Sequence, residues 1–305
     1  MTDKFKTIPH GLSISIIKHN KEETNYWGYR DRHNKVDIDT NFNIASISKL
    51  VTSIIYLISI DGNLVALDDK ASKYIAINYD FTIRSLLNHT SGIITTENDE
   101  QLLYNINTLH RPDYKANIIC SQSNDFCYNA YNYFLLKDII EAIYNMPYNS
   151  IVNLLFERYG LQHPPLILEN TAHNNIALPY SDSNKAFLEY DIKELSTQRN
   201  LSGGLYCSSN HLNRFLHHFF TNKCSISNHL FDELTNFANN IYGLGLFKYE
   251  INNTIYWGHS GESFGYCSQF ILNSKSKNCC TILANTDNRA VIRSVLRSIF
   301  KDSTF

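Results

Sequence analysis

Ser46 and Lys49 are the residues in this chain whose types and spacing could do covalent chemistry. A serine hydroxyl is a poor nucleophile until a base takes its proton. A neutral lysine can be that base, which requires its pKa to fall well below the ordinary value of about 10.4. After Phe42-Asn43-Ile44-Ala45, the apolar residues Ile47, Leu50, Val51, Ile54 and Ile58 recur at helical spacing. Asp61-Gly62-Asn63 supplies a turn that can end the helix. Ser46 then falls in the first turn, with Lys49 three residues on along the same face. A helix N-terminus favours negative charge developing on Ser46 and offers a backbone N–H to an oxyanion. The Ser-x-x-Lys pattern also occurs at Ser15/Lys18, Ser274/Lys277 and Ser298/Lys301, and on its own it describes a polar pair on a solvated face. Only Ser46 opens a long, strongly apolar helix of the kind that becomes buried.

The remaining elements read as strands at both ends and helices between. Leu12–His19 and the aromatic-rich Thr24–Arg30 read as strands joined by a loop at His19-Asn20-Lys21-Glu22-Glu23. Phe81–Leu87 reads as a short helix opened by Thr82, and His89-Thr90-Ser91-Gly92 as its closing turn. Thr95–Ser123 is polar and reads as a long loop. Tyr128–Asn145, Tyr148–Tyr159, Ser208–Phe220 and Asn228–Ala238 read as helices. Ile255–Trp257, Tyr266–Leu272 and Cys280–Ala284 are strand-like, and Arg289–Phe300 closes the chain as a helix. The fold class expected is α/β of the α+β type: one antiparallel sheet from both chain ends, covered by helices, with a mostly helical region inserted. The whole of 1–305 is expected as one catalytic domain, its sheet region at about 1–66 and 240–305 and its helical region at about 67–239.

Composition narrows the function. With 43% hydrophobic residues the chain can bury a sizeable core, and a net charge of −2 gives no electrostatic reason to expect nucleic acid. No apolar run is long enough to span a bilayer, and no basic run marks a membrane surface. The first residues, Met1-Thr2-Asp3-Lys4-Phe5-Lys6, carry no apolar signal segment. The seven cysteines lack Cys-x-x-Cys spacing. A reduced, cytoplasmic protein is the expectation. The twelve histidines, His217-His218 among them, show no ligand spacing, so neither a metal nor any other cofactor is expected.

Gly258-His259-Ser260-Gly261-Glu262 imitates the Gly-x-Ser-x-Gly nucleophile elbow, but Glu262 is too large for the fifth position and a strand follows where an elbow needs a helix. Other segments favour a different relationship. Phe42–Leu50, Leu67-Asp68-Asp69 with Tyr74, and Leu86-Leu87-Asn88-His89-Thr90-Ser91-Gly92 come first. Phe126-Cys127-Tyr128-Asn129-Ala130, Ser202-Gly203-Gly204-Leu205, Tyr242-Gly243-Leu244-Gly245 and His259-Ser260-Gly261 follow. In type and order they resemble the signature segments of the serine β-lactamase-like family, over roughly residues 10 to 300. That family includes class C β-lactamases, low-molecular-weight penicillin-binding proteins, D-aminopeptidases and related esterases.

The resemblance implies an acyl-enzyme. Ser46 would be the acylated nucleophile, Lys49 its partner in proton transfer and Tyr128 the second member of the base system. His259, Ser260 and Gly261 would line the substrate site, and the N–H groups of Ser46 and Glu262 would form the oxyanion hole. His89 and Ser91 would stabilise their turn. Two departures stand out: Ala130 replaces the Asn of the family's Tyr-x-Asn, and His259 stands where many members carry Lys. The expected function is therefore hydrolysis of a small ester, amide or peptide through an acyl-enzyme. Acyl transfer through the same intermediate, and a non-catalytic binding protein that kept the fold, are the alternatives. Neither the natural substrate nor the oligomeric state can be read from these residues.

Overall fold

The computed structural model describes residues 5, 7–94, 118–121, 123, 125–158, 175–188, 203–222, 226–237 and 240–301. Strands β1 (Leu12–Lys18) and β2 (Lys21–Trp27) form a hairpin. Its turn is only His19 and Asn20, both left-handed at φ 50° and 61°, the geometry of a two-residue hairpin turn. The second strand therefore starts at Lys21, three residues before the aromatic run that suggested it. Four short strands follow in chain order: β3 (Phe42–Asn43), β4 (Ile93–Ile94), β5 (Ile119–Cys120) and β6 (Tyr180–Ser181). Two more are β7 (Ala186–Phe187) and β8 (Tyr206–Cys207). Then come β9 (Phe247–Ile251), β10 (Thr254–Ser263), β11 (Tyr266–Asn273) and β12 (Cys279–Ala284). The main sheet runs β2-β1-β12-β11-β10-β9, antiparallel throughout. Pairing of β1 with β12 joins the two ends of the chain, which is the architecture expected from the sequence.

The helices are α1 (Ile47–Asp61), α2 (Ile83–Leu87), α3 (Ala130–Tyr144) and α4 (Tyr148–Arg158). Later ones are α5 (Ser209–Asn222), α6 (Asn228–Leu234) and α7 (Ala290–Ile299). Thr82 opens α2 with a reciprocal capping box to Ser85. Strand alternation sorts side chains to the two faces of the sheet. Leu12, Ile14, Cys280, Ile282 and Ala284 pack with Ile292, Val295 and Ile299 of α7. On the other face the core holds α1 and α5 together with Cys279 and Leu283. There Ser13 meets Ser209 at 2.8 Å and Thr281 donates to Asn213 at 2.9 Å, so small hydroxyl residues on β1 and β12 seat α5.

Helix α1 is buried from Ile47 to Ser59. Its hydroxyls need partners in that setting, and tyrosines supply them. Thr52 meets Tyr148 at 2.6 Å, Ser53 meets Tyr133 at 3.1 Å, and Ser59 meets Tyr144 at 2.9 Å. These tyrosines hold the central helix in register against α3 and α4. The expected loop Thr95–Ser123 lies mostly outside the described residues, as do Ser202, Tyr159 and Ala238.

Candidate active site

Ser46 is set by the chain that enters α1. Phe42 and Asn43 pair with Cys207 and Tyr206, an antiparallel contact the sequence did not suggest. The N–H of Ile44 donates to the Leu205 carbonyl at 2.9 Å, and Ser268 Oγ donates to the Ile44 carbonyl at 2.8 Å. Ala45 is left-handed, with φ 47°, and its N–H donates to the buried Asn43 Oδ1 at 2.7 Å. For a residue with a Cβ that conformation costs about 1–2 kcal/mol. It persists where the surroundings over-determine it, here through β8, β11 and the Asn43 side chain.

Ser46 consequently occupies the N-cap position rather than the first turn, with helical backbone angles and no side-chain capping bond. Its hydroxyl is turned instead to Lys49, whose Nζ donates to Ser46 Oγ at 3.0 Å. Lys49 is only 2% exposed. Its Nζ lies 5.0 Å from the ring centroid of Tyr128 and 5.6 Å from that of Tyr133. Tyr128 precedes α3 by two residues. The helix begins at Ala130, capped by Asn129 Oδ1, which accepts from the Tyr131 N–H at 2.8 Å. The short side chain of Ala130 is buried in the first turn.

His259 lies on β10 with its ring in an aromatic enclosure of Tyr128, Tyr242 and Phe247. Its Nδ1 donates to the Ser260 carbonyl at 2.7 Å, which leaves Nε2 to accept from the Tyr242 hydroxyl at 3.1 Å. Burial first, and then the charge of Lys49, pushes the imidazole down to about 3, so it is neutral at ordinary pH. Tyr242 is also hydrogen-bonded to Tyr133, and burial raises both phenols above their usual range.

β10 was expected to be a three-residue strand at Ile255–Trp257. It runs instead through the whole His259–Glu262 stretch, and β11 follows it, so no elbow forms. β9 accompanies β10 only from Thr254 to Gly258. Beyond that point β10 passes the start of α1 so closely that a Cβ on Gly261 would lie 2.7 Å from the Ile44 carbonyl and 2.8 Å from Ala45 Cβ. His259 and Gly261 therefore face α1. Ser260 and Glu262 project to the opposite side, where Ser260 bonds Tyr249 and Glu262 pairs with Arg289 at 2.8 Å. From those two positions, expected to bind substrate, only the main chain is available to the Ser46 side.

Two residues with a place in this cluster carried no catalytic signal in the sequence. Tyr242 stood inside a glycine motif, and His89 in a turn box. In the fold both rings approach that of Tyr128, at 5.9 Å and 4.4 Å. Among the described residues, no group of three or more His, Cys, Asp or Glu side chains is placed to hold a metal ion, and no helix is long and apolar enough to cross a membrane.

Known proteins share this fold. The Beta-lactamase family model matches residues 2–298. The uncharacterized protein BpOF4_21049 of Alkalihalophilus pseudofirmus is 34% identical over 91 residues, a match spanning 27% of each chain. Among solved structures, the octameric penicillin-binding protein homologue from Pyrococcus abyssi superposes with a TM-score of 0.79 at 21% identity, over 92% of this chain and 70% of that one. The class C β-lactamase from Rhodobacter sphaeroides gives 0.77 at 15% identity, over 96% and 95%. The D-amino acid amidase from Ochrobactrum anthropi SV3, solved with L-phenylalanine amide, gives 0.75 at 18% identity, over 90% and 86%. At these identities the solved structures establish the shared fold.

Proposed function

This chain belongs to the Beta-lactamase family, and we propose that it is a serine hydrolase that forms an acyl-enzyme on Ser46 and cleaves a small ester or amide. One observation carries the reading: a buried lysine amine lies 3.0 Å from a serine hydroxyl that the N-terminus of α1 does not use as a cap. Neutral Lys49 accepts the Ser46 proton along that contact while Oγ attacks the substrate carbonyl. The ammonium so formed is favoured by the faces of Tyr128 and Tyr133. The N–H groups of Ser46 and Glu262 receive the oxyanion; losing one such donor typically costs about 2.7–4 kcal/mol of barrier stabilisation. Lys49 and Tyr128 return the proton to the leaving group, and water attacks the ester on Ser46 with the same groups acting in reverse. An amine or alcohol in place of water gives acyl transfer.

Ala130 supports a preference for esters. The family's Asn at that position serves the lysine and the amide group of the substrate, and a methyl offers neither. The D-amino acid amidase fold match supports small amides as the second substrate class. Free thiols at the buried Cys207, Cys267, Cys279 and Cys280 support work in a reducing compartment, which fractionation of the native cell tests; recovery from an oxidising compartment would count against it. The test of the whole reading is incubation with a fluorophosphonate and with a fluorescent penicillin, followed by peptide mass spectrometry. Label on Ser46 supports it, and turnover of p-nitrophenyl esters, D-amino-acid amides and β-lactams ranks the substrates. Label elsewhere, or none with either probe, overturns it.

A further inference from the structure

His89 has no part in the proton transfers above, yet its contacts centre on a residue that does. We propose that His89 is the positioning residue of Tyr128, gripping the chain on both sides of it. The His89 carbonyl accepts the Cys127 N–H at 2.9 Å, and its ring Nδ1 accepts the Asn129 N–H at 3.2 Å. Residue 128 is thus bracketed by two bonds from one side chain and its own carbonyl. The His89 ring then lies 4.4 Å, centroid to centroid, from the Tyr128 ring between those bonds. The left-handed backbone of His89, φ 59°, allows carbonyl and ring to reach the same segment. Asn132 holds the ring in place, with Nδ2 at 3.1 Å from Nδ1 and Oδ1 accepting from Ser91 Oγ at 2.5 Å.

The tautomer strengthens the case. A backbone N–H donates to Nδ1, so the ring proton is on Nε2. Nε2 is buried without a hydrogen-bond partner among the described residues. The imidazole lies among the rings of Tyr128, Tyr242 and Tyr133, at 4.4, 5.1 and 5.3 Å centroid to centroid. Burying an unsatisfied donor is unfavourable. Phenylalanine would avoid that penalty and keep a ring, but it would strain the left-handed backbone and leave the Asn129 N–H without this acceptor. Asparagine would keep an acceptor and tolerate the left-handed backbone, but it would lose the ring. Histidine supplies acceptor and ring together.

The inference rests on the reading of Tyr128 as a member of the base system, so the experiment has one arm that needs no activity. His89→Phe and His89→Asn are compared with the parent by hydrogen exchange over 126–130, by thermal unfolding, and by kcat and KM for a p-nitrophenyl ester. Activity is normalised to Ser46 titrated with fluorophosphonate. In His89→Phe we expect faster exchange at Asn129 and a kcat lower by about 10- to 100-fold with KM nearly unchanged, the signature of misplacement by under 1 Å to 1 Å. In His89→Asn, which keeps the acceptor and loses only the ring contact, exchange stays slow and kcat lies between those of His89→Phe and the parent. A residue that only stabilises its turn would lower the unfolding temperature while leaving kcat per titrated Ser46 intact. That result in His89→Phe overturns the proposal. So does His89→Asn, if it keeps Asn129 protected yet loses as much kcat as Tyr128→Phe, and this holds even if His89→Phe does not fold. A parent enzyme that takes no label on Ser46 sinks the hydrolase reading instead, and the exchange arm still decides whether His89 grips the segment.

Discussion

Gly261→Ala tests whether the close passage of β10 over α1 is what aligns Ser46. An added Cβ would lie 2.4 Å from Ser268 Oγ, 2.7 Å from the Ile44 carbonyl and 2.8 Å from Ala45 Cβ. The serine hydroxyl could rotate away, but doing so breaks its 2.8 Å bond to the Ile44 carbonyl. The other two atoms belong to the turn that sets Ser46, so either β10 or that turn must move by several tenths of an ångström. Overpacking of this kind costs about 1–3 kcal/mol. A displacement approaching 1 Å between the nucleophile and an oxyanion donor lowers kcat by up to about 100-fold. Gly11→Ala is the control. Its Cβ would lie 2.5 Å from Val36 Cγ2 and 2.8 Å from Asn285 Oδ1, a clash of similar severity with no residue of the site. Denaturant midpoints and kcat per titrated Ser46 are measured for both. The expected result is a similar loss of stability in the two variants and a loss of kcat only in Gly261→Ala. Equal kcat in both would refute the argument that this contact aligns the nucleophile.

Ser46→Ala should abolish labelling and turnover, as followed by intact mass, and its stability cost should fall below the roughly 1 kcal/mol of a lost cap because Ser46 makes no capping bond. Lys49→Arg should be nearly inactive on p-nitrophenyl esters, since a guanidinium keeps its proton at working pH; substantial activity removes Lys49 from the base role. Ala130→Asn should raise kcat/KM on a chromogenic cephalosporin relative to an ester by about twofold to thirteenfold, the kinetic equivalent of roughly 0.5–1.5 kcal/mol from one new hydrogen bond. Below its ordinary value of 6.5 and down to about 3, His259 is protonated in the unfolded chain and not in the folded one. Stability should therefore fall as pH drops through that window and be fully present above it, and denaturant midpoints at pH 4.5 and 7.5 should differ less in His259→Gln.

The parts of the site that depend on local spacing were legible in the sequence. Helical periodicity alone put Lys49 on the face of Ser46, and the buried run of α1 was visible as an apolar stripe. Thr82 announced α2 by its capping chemistry. Strand-like runs at both ends sufficed for the antiparallel sheet. Much of what escaped depends on contacts across long sequence distances. β9, Phe247–Ile251, escaped although it is local: its Phe, Lys, Tyr, Glu and Ile form no clean apolar alternation, and it pairs with β10 across a two-residue turn at Asn252 and Asn253, both left-handed. The end of β10 was hidden because His-Ser-Gly-Glu-Ser has no apolar alternation, its inward positions being a histidine and a glycine. Ser46 looked like a first-turn residue because nothing local reveals that Ala45 is left-handed. That conformation is enforced by Asn43, Leu205 and Ser268. His89 looked like a turn residue because the N–H groups it holds are some forty positions away.

The charge pattern follows from how these pieces meet. Three basic side chains converge beside Tyr128: Lys49, His89 and His259. Burial, reinforced by Lys49, holds both imidazoles far below their usual range. Each also has a lone-pair nitrogen already engaged by a donor, the Asn129 N–H for His89 and the Tyr242 hydroxyl for His259. Protonating either ring would break that bond as well as repel Lys49. The imidazoles therefore serve as uncharged acceptors and leave the proton that Ser46 gives up to the Lys49 amine in the proposed mechanism. A lysine at position 259 would instead place an ammonium beside Lys49, which favours the neutral amine at rest and opposes the ammonium that forms when Ser46 gives up its proton. With a neutral histidine there, neither effect operates, and the proposed transfer depends on what favours the Lys49 ammonium once it forms. The faces of Tyr128 and Tyr133, at 5.0 and 5.6 Å, are the groups in position to do so. On the proposed mechanism, the seating of Tyr128 by His89 thus bears on the same step as residue 259, where many family members carry lysine.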